Sequence, residues 1–282
     1  MRPMAHRRTV SVMSRVLDGA ATSRRPETVL VEEPLQIRLD DTLVATTMRT
    51  PGHDYELAVG WCHAEGLLAD APVTGIRYCA TGPAVDSDFN VVTVQTGGRA
   101  LPPAPRLTTT TAACGVCGAE AVDELTARLS PLPVGEPLDA AVLAGLGEEV
   151  APAQGLFDVT GASHAAAACT PDGQVLVVRE DIGRHNAVDK VVGRRLLDGS
   201  LPATGLVLWV SGRASFEMAQ KAWAAGFAAL VSVSAPSSLA VDTATRAGLV
   251  LCGFARDGRL TVYAGADRIA DRVAEQEAGT DG

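Results

Sequence analysis

From residue 156 to residue 263 the chain alternates short apolar runs with helical segments, and this alternation limits the fold more than any other feature. Two strands, 163–169 and 174–179, meet at the turn Pro171-Asp172-Gly173. Helix 185–197, strand 205–210, helix 215–225, strand 228–234, helix 238–247 and strand 249–254 follow, and Asp257-Gly258 turns the chain into a last strand at 259–263. Short apolar strands separated by crossover helices predict a largely parallel sheet covered on both faces. The Asp-Gly hairpin adds an antiparallel edge.

The first half reads differently. Segments 28–32, 35–39 and 43–48 alternate apolar and polar residues, as half-buried strands do, with Asp40-Asp41 as a turn. Thr50-Pro51-Gly52-His53-Asp54 is a turn ending in a helix cap, and 56–68 has apolar residues at helical spacing. Strands are predicted at 73–79 and 89–95, and helices at 118–129 and 139–146. Between them a loop runs from Pro102, Pro103 and Pro105 through four threonines to Cys114. The expected division is a mobile basic tail at 1–25, an N-terminal α+β unit at 26–112, a cysteine loop with connecting helices at 113–150, and a C-terminal α/β unit at 151–275.

Charge and cysteine content narrow the function classes. The net charge of −9 excludes generic nucleic-acid binding. The basic residues are 22 arginines and two lysines, Lys190 and Lys221, both inside polar motifs. Arg7-Arg8 superficially resembles a twin-arginine export signal, but Arg15 and Asp18 interrupt the apolar stretch such a signal requires. No apolar run reaches the ~18–20 residues of a membrane helix. Six cysteines are too few for a disulfide scaffold, so a reducing cytoplasm is the expected compartment. Cys62, Cys79, Cys169 and Cys252 stand alone in apolar contexts and read as small buried hydrophobes.

Three strand-to-helix turns are unusually polar: Glu180-Asp181-Ile182-Gly183-Arg184-His185-Asn186, Ser211-Gly212-Arg213-Ala214-Ser215 and Ser234-Ala235-Pro236-Ser237-Ser238. In an open α/β sheet such turns share the edge where ligands bind and where helix N-termini offer free N–H groups. Arg184, Arg213 and several hydroxyls would converge there as an anion or phosphate pocket. The plainer alternatives are helix caps at Ser215 and Ser237, an i,i+4 pair between Glu217 and Lys221, and a helix-surface pair between His185 and Asp189. The common nucleotide motifs, G-x-x-x-x-G-K and G-x-G-x-x-G, are absent.

Cys114-Gly115-Val116-Cys117-Gly118 carries the remaining chemistry. A structural zinc site needs a second ligand pair, and there is none. A thioredoxin-like pair would follow a strand directly, whereas this one follows a Pro- and Thr-rich loop. A carrier of sulfane sulfur needs an accessible thiolate on a pliable backbone. Gly115 and Gly118 supply the freedom, and a helix start near Gly118 favours thiolate over thiol. The second cysteine can protect the persulfide or release it by exchange. His63-Ala64-Glu65 with Cys114 and Cys117 mimics a zinc deaminase signature, but Ala113 stands where that signature has proline.

The chain resembles the formate dehydrogenase accessory sulfurtransferases, the FdhD family, from about residue 28 to 264. The matching stretches are Arg49-Thr-Pro-Gly-His-Asp54, Glu65-Gly66, Cys114-Gly-Val-Cys-Gly118, Glu180-Asp-Ile-Gly-Arg-His-Asn-Ala-Val-Asp-Lys190, Ser211-Gly-Arg213, Ser234-Ala-Pro-Ser-Ser238 and Gly253-Phe254. The resemblance implies a protein that takes sulfur from an L-cysteine desulfurase as a persulfide on the Cys-x-x-Cys loop. The sulfur is then passed to the molybdenum (or tungsten) cofactor carrying two guanine dinucleotides, so that formate dehydrogenase becomes active. It also implies a homodimer, and a C-terminal unit with a mixed sheet in three cytidine deaminase-like layers beside a smaller β-rich N-terminal unit. By strand order, the deaminase zinc positions fall at Gly183 to Asn186 and Ser211 to Arg213, where no cysteine stands, so the pocket would hold an anionic ligand and no metal.

Roles follow from the resemblance and from charge. Cys114 is the expected persulfide carrier and Cys117 its auxiliary, although chemistry alone does not separate them. The segment Phe254, Ala255, Arg256, Asp257, Gly258 and Arg259 looks like the family's cofactor-binding stretch. Arg184, His185, Asn186, Ser211, Gly212 and Arg213 complete the expected site, with guanidinium forks suited to phosphate oxygens. Phe254 either stacks on a guanine or belongs to the core. Two rival readings stay open: a non-catalytic cofactor-binding chaperone whose cysteines are a redox latch, and a zinc deaminase.

Overall fold

The computed structural model describes residues 7–19, 21–79, 89–100 and 126–270. A hairpin of β1 (Thr9–Asp18) and β2 (Ala21–Leu30) opens the chain. This differs from the expected tail: ten residues pair with ten in unbroken antiparallel register, and β-branched Thr and Val along β1 favour the extended backbone. Next come β3 (Glu33–Leu39), β4 (Thr42–Arg49), α1 (Asp54–Ala64), β5 (Gly75–Tyr78) and β6 (Val91–Gln95). The four strands form one sheet in the order β4-β3-β6-β5, and α1 covers it. Leu35, Ile37, Val92 and Val94 meet Leu57, Ala58 and Cys62 in a closed core.

The second half begins with β7 (Leu138–Asp139), α2 (Ala140–Val150) and α3 (Gly155–Thr160). Asp139 caps α2 by accepting from the N–H groups of Ala141 and Val142, as expected of Asp at an N-cap. Then follow β8 (His164–Cys169), β9 (Val175–Asp181), α4 (Arg184–Leu197), β10 (Val207–Val210), α5 (Phe216–Ala224), β11 (Ala229–Ser232), α6 (Ser238–Ala247), β12 (Val250–Arg256) and β13 (Arg259–Ala264). A short β14 (Ile269–Ala270) pairs with β7.

The main sheet has the order β13-β12-β11-β10-β8-β9. It is mixed: β10, β11 and β12 run parallel, while β8, β9 and β13 join antiparallel. The expected parallel pairing therefore holds for β10, β11 and β12, which α5 and α6 link, whereas β9 runs the same way but is separated from β10 by β8. Alternation along each strand sorts the two faces. Ala166, Ala168, Leu208, Val210, Leu230 and Leu251 face the layer that contains α4, α5 and α6, whereas Ala165, Ala167, Cys169, Val207 and Trp209 face α2. Among the described residues no helix is long and apolar enough to cross a membrane.

The N-terminal sheet is fastened to the main sheet where α1 crosses α4. A Cβ on Gly60 would lie 1.9 Å from the carbonyl oxygen of Asp189, and one on Gly193 1.8 Å from that of Glu56. The two helices touch backbone to backbone, and only glycine permits it.

The helix α3 was not legible in the sequence. Its N-cap residue, Gln154, makes no side-chain cap. The first N–H groups of α3 instead find the carboxylate of Glu180, which accepts from Leu156 (2.9 Å) and Phe157 (2.8 Å) and also from the Ser163 hydroxyl (2.7 Å). A cap lent by a distant strand leaves no local signal.

Candidate functional site

Polar residues gather in two places. The first is an interior network that joins the 49–54 turn to the β9–α4 turn. Arg49, fully buried, donates from Nε and Nη2 to Asp54 (3.2 and 3.1 Å), from Nη1 to Glu33 (3.1 Å) and from Nη2 to Asn90 (3.0 Å). Asp181, also fully buried, accepts from Thr50 N–H (3.1 Å), Gly183 N–H (2.8 Å), Asn186 Nδ2 (2.9 Å) and Lys190 Nζ (2.6 Å). Lys190 spends its other donors on the carbonyls of Thr50 (3.0 Å) and Glu180 (3.3 Å). Charges this deep are tolerated because each is met by an opposite charge and by several hydrogen bonds. Asn186, expected at the cofactor site, is engaged here: its Nδ2 also donates to the Met48 carbonyl (2.7 Å).

The helix faces around this network pair differently from the plainer alternatives offered by the sequence. His185 meets Glu217, and Lys221 meets Asp189. The anticipated Glu217–Lys221 and His185–Asp189 pairs do not form, because α4 and α5 pack together and cross-helix partners come within reach. Burial raises Asp189 to about 6 even against the opposing pull of Lys221. At the edge of the network Arg179 donates to Glu56 (2.8 Å). Burial alone would raise Glu56, but Arg179 and His53 outweigh it and hold the carboxyl down to about 2.

The second place is the carboxyl edge of the main sheet. All three polar turns lie there, as expected, since β9, β10 and β11 point the same way. The β12–β13 hairpin and the start of β8 share that edge. The second and third turns are tied together by an Ala214–Pro236 bridge and by Ser237 N–H donating to Ala214 (2.9 Å). Ser237 caps α6 through Ala240 N–H (3.2 Å). Ser215 makes no side-chain cap, and its buried hydroxyl has no partner among the described residues.

On the α2 side of this edge opens a cavity of about 590 Å³, walled by Gly147, Phe157, His164, Trp209, Ser211, Val233 and Ala255 to Asp257. Apolar surface dominates its wall, and the polar side chains on it include Glu148, Gln154, Arg256 and Asp257 beside His164 and Ser211. Trp209 is only 2% exposed, yet its Nε1–H has no acceptor among the described residues. A buried donor without a partner costs about 1–3 kcal/mol, so an acceptor brought by a ligand would be rewarded. His164 stands beside Ser211 (Nδ1 to Oγ 3.5 Å) and near Arg184, both of which approach glycine 212 where a side chain would intrude. Burial, helped by Arg184 and His185, holds His164 below the usual imidazole range. The Arg184 Nε is likewise buried without an acceptor among the described residues.

The structure thus brings Ser211, Ala255, Arg256 and Asp257 to the cavity wall, with Arg184 and Gly212 next to it. Arg213, Phe254, Gly258 and Arg259 are exposed along the same edge. Phe254 is not a core residue: it is 42% exposed and holds φ at 52°, at an irregularity in the β12–β13 pairing. A bulky residue in the left-handed region is strained, and such positions cluster at ligand sites. Trp209, His164 and Gly147 were missed, since a Trp in an apolar strand reads as core and only tertiary packing reveals its unmet N–H.

Cys114 and Cys117 lie outside the described residues. The solitary Cys62, Cys169 and Cys252 are buried, and burial pushes the last two up to about 12, which leaves them unreactive thiols. Cys79 is half-buried. His63 is tied to the Ala224 carbonyl (3.1 Å). Among the described residues no three His, Cys, Asp or Glu side chains converge as a metal site.

Comparison with known proteins adds three findings. The model of the FdhD/NarQ family matches residues 30–270. The sulfur carrier protein FdhD of Streptomyces avermitilis is 50% identical over 271 residues, covering 92% of this chain and 95% of that protein. Its counterpart in Streptomyces coelicolor is 50% identical over 270 residues, with the same coverage of both chains. A crystal structure from Desulfotalea psychrophila, of a protein provisionally assigned as a formate dehydrogenase accessory protein, superposes with a TM-score of 0.76 at 24% identity and covers 94% of this chain and 100% of its own. That last likeness speaks for the fold alone.

Proposed function

The chain belongs to the FdhD/NarQ family, and from that premise we propose that it is a sulfur carrier which matures formate dehydrogenase. Cys114 takes sulfane sulfur from an L-cysteine desulfurase and passes it to the molybdenum cofactor bearing two guanine dinucleotides. In the loading step the Cys114 thiolate attacks the outer sulfur of the desulfurase persulfide. A new S–S bond forms on Cys114, and the desulfurase cysteine leaves as thiolate. Attack by Cys117 on the Cys114 sulfur releases hydrosulfide to the cofactor's metal and leaves a Cys114–Cys117 disulfide. A dithiol reductant then restores the pair, and the reducing cytoplasm provides one.

The cofactor is cargo here. The observation that carries its placement is the cavity at the carboxyl edge, whose buried Trp209 N–H lacks an acceptor. A guanine base offers acceptors to such a donor and a flat surface to apolar walls. The exposed Arg256 and Arg259 sit directly opposite each other in the hairpin register and suit pyrophosphate oxygens. Arg184, Ser211, Gly212 and Arg213 extend that cationic and hydroxyl-bearing edge. His185 and Asn186 act one step back by shaping the start of α4. A sheet with α4, α5 and α6 on one face and α2 on the other supports a three-layer, cytidine deaminase-like unit in which this edge is the ligand pocket.

Mass spectrometry of the protein incubated with a desulfurase and cysteine tests the transfer. A gain of about 32 Da on the peptide containing Cys114 is expected, lost in Cys114→Ala. Cys114→Ala retains guanine nucleotide binding, whereas Arg256→Ala with Arg259→Ala retains the persulfide and loses the nucleotide. A chain that binds the nucleotide yet never gains the mass is the redox-latched chaperone instead.

A further inference from the structure

The cavity at the carboxyl edge carries two uncommitted polar groups of opposite sense. The first is the Trp209 Nε1–H, a donor only, which is buried and has no acceptor among the described residues. The second is Glu148 of α2, whose ionised carboxylate is an acceptor only. Glu148 lines the same cavity, is exposed, and enters no hydrogen bond or ion pair among the described residues. Gly147 brings the two together. It precedes Glu148 in α2, and a Cβ placed on it would lie 3.8 Å from the indole nitrogen. A longer side chain there would stand against the indole, so glycine keeps the donor open to the cavity and the next residue supplies the acceptor.

The remaining charges of the cavity wall, Arg256 and Asp257, come from the β12–β13 hairpin. Arg256 faces Arg259 in the hairpin register, and the two arginines offset the acid between them. Charge is therefore divided. The hairpin side is cationic and suits phosphate oxygens, whereas the α2 side sets a neutral donor beside a carboxylate.

A donor beside a carboxylate is complementary to one base edge. Guanine carries an acceptor, O6, next to two donors, N1–H and the 2-amino group. Adenine carries the reverse, a donor at N6 next to an acceptor at N1. It would set N–H against N–H and a lone pair against a carboxylate, which rejects it by repulsion as well as by lost bonds. Resting on the reading of this cavity as the guanine pocket, we propose that Glu148 is the residue that selects the base. Its carboxylate accepts from guanine N1–H and the 2-amino group while Trp209 donates to O6.

Isothermal titration of the whole chain with guanosine, inosine, xanthosine and adenosine diphosphates tests this. The unaltered chain is expected to bind inosine diphosphate, which lacks the 2-amino group, about tenfold more weakly than guanosine diphosphate, and adenosine diphosphate at least about a hundredfold more weakly. Glu148→Gln, at an exposed position, is expected to keep the melting temperature and to bind guanosine diphosphate about tenfold more weakly. The same variant should bind xanthosine diphosphate better than the unaltered chain does, because a carboxamide can donate to the 2-oxo group. Trp209→Phe should weaken guanosine and inosine diphosphates alike, since both carry O6. An unaltered chain that binds none of the four overturns the guanine-pocket reading and this inference with it. If guanosine and adenosine diphosphates bind equally, or if Glu148→Gln keeps the unaltered ranking, selection by Glu148 is overturned and the pocket reading stands.

Discussion

The interior network and the carboxyl edge are built from the same residue types and differ in how completely they are satisfied. Around Arg49, Asp181 and Lys190 every charge is buried with several partners. At the edge Trp209, Arg184 and Ser215 each hold a buried polar atom without a partner among the described residues, and Phe254 is strained and exposed. A long polar motif such as Glu180 to Lys190 looks like a ligand site in one dimension. In three dimensions most of it clasps two sheets together, and the hydrogen bonds left unfinished lie at the carboxyl edge, where we propose the ligand chemistry.

Substitutions can break this contrast. The largest effect is expected at the helix crossing. Gly193→Val places a side chain on the Glu56 carbonyl, and the expected outcome is loss of soluble, cooperatively melting protein. Lys190→Met strands the Asp181 carboxylate without its counter-charge, which should cost about 3–5 kcal/mol in chemical denaturation. If Lys190→Met melts like the unaltered chain and loses nucleotide binding instead, the network is part of the site and the distinction fails.

Glu56 gives a pH test of the same interior. Its folded-state value of about 2 lies below the unfolded value. Its contribution is therefore present above the ordinary Glu range and is lost as pH falls from about 4.5 towards 2, by up to about 3 kcal/mol. Glu56→Gln should flatten that acid limb of a stability-versus-pH curve and leave the neutral arm lower.

The smallest effect sharpens the other side. Trp209→Phe removes an unpartnered donor and keeps the ring, so stability should hold or rise slightly. Titration with guanosine diphosphate should show binding weakened by about 1 kcal/mol, roughly fivefold. A Trp209→Phe protein that is destabilised and binds as before would make Trp209 a core residue only.

Much of the fold was legible. The strand and helix sequence after residue 156, the hairpin at Asp257-Gly258 and the shared edge of the three polar turns all follow from local periodicity and turn chemistry. Two features were misread. The N-terminal ribbon lacks the apolar alternation of a half-buried strand because most of it faces solvent. The helix α3 lacks its own cap because Glu180 supplies one from another strand. At the site, Arg256, Asp257 and Ser211 were visible as polar residues in turns, whereas Trp209 and Gly147 were hidden in apolar segments.

What the sequence determined alone is the order of the elements after residue 163, the cysteine motif with its glycine freedom, and the set of turns that would meet at one edge, since all of these depend on neighbours along the chain. Which of those polar residues are consumed in holding two sheets together, and which are left facing a cavity, was decided only by tertiary packing. A hydrogen bond between residues 140 positions apart, as from Lys190 to Thr50, has no trace in local pattern. Nor has an indole N–H that finds no acceptor.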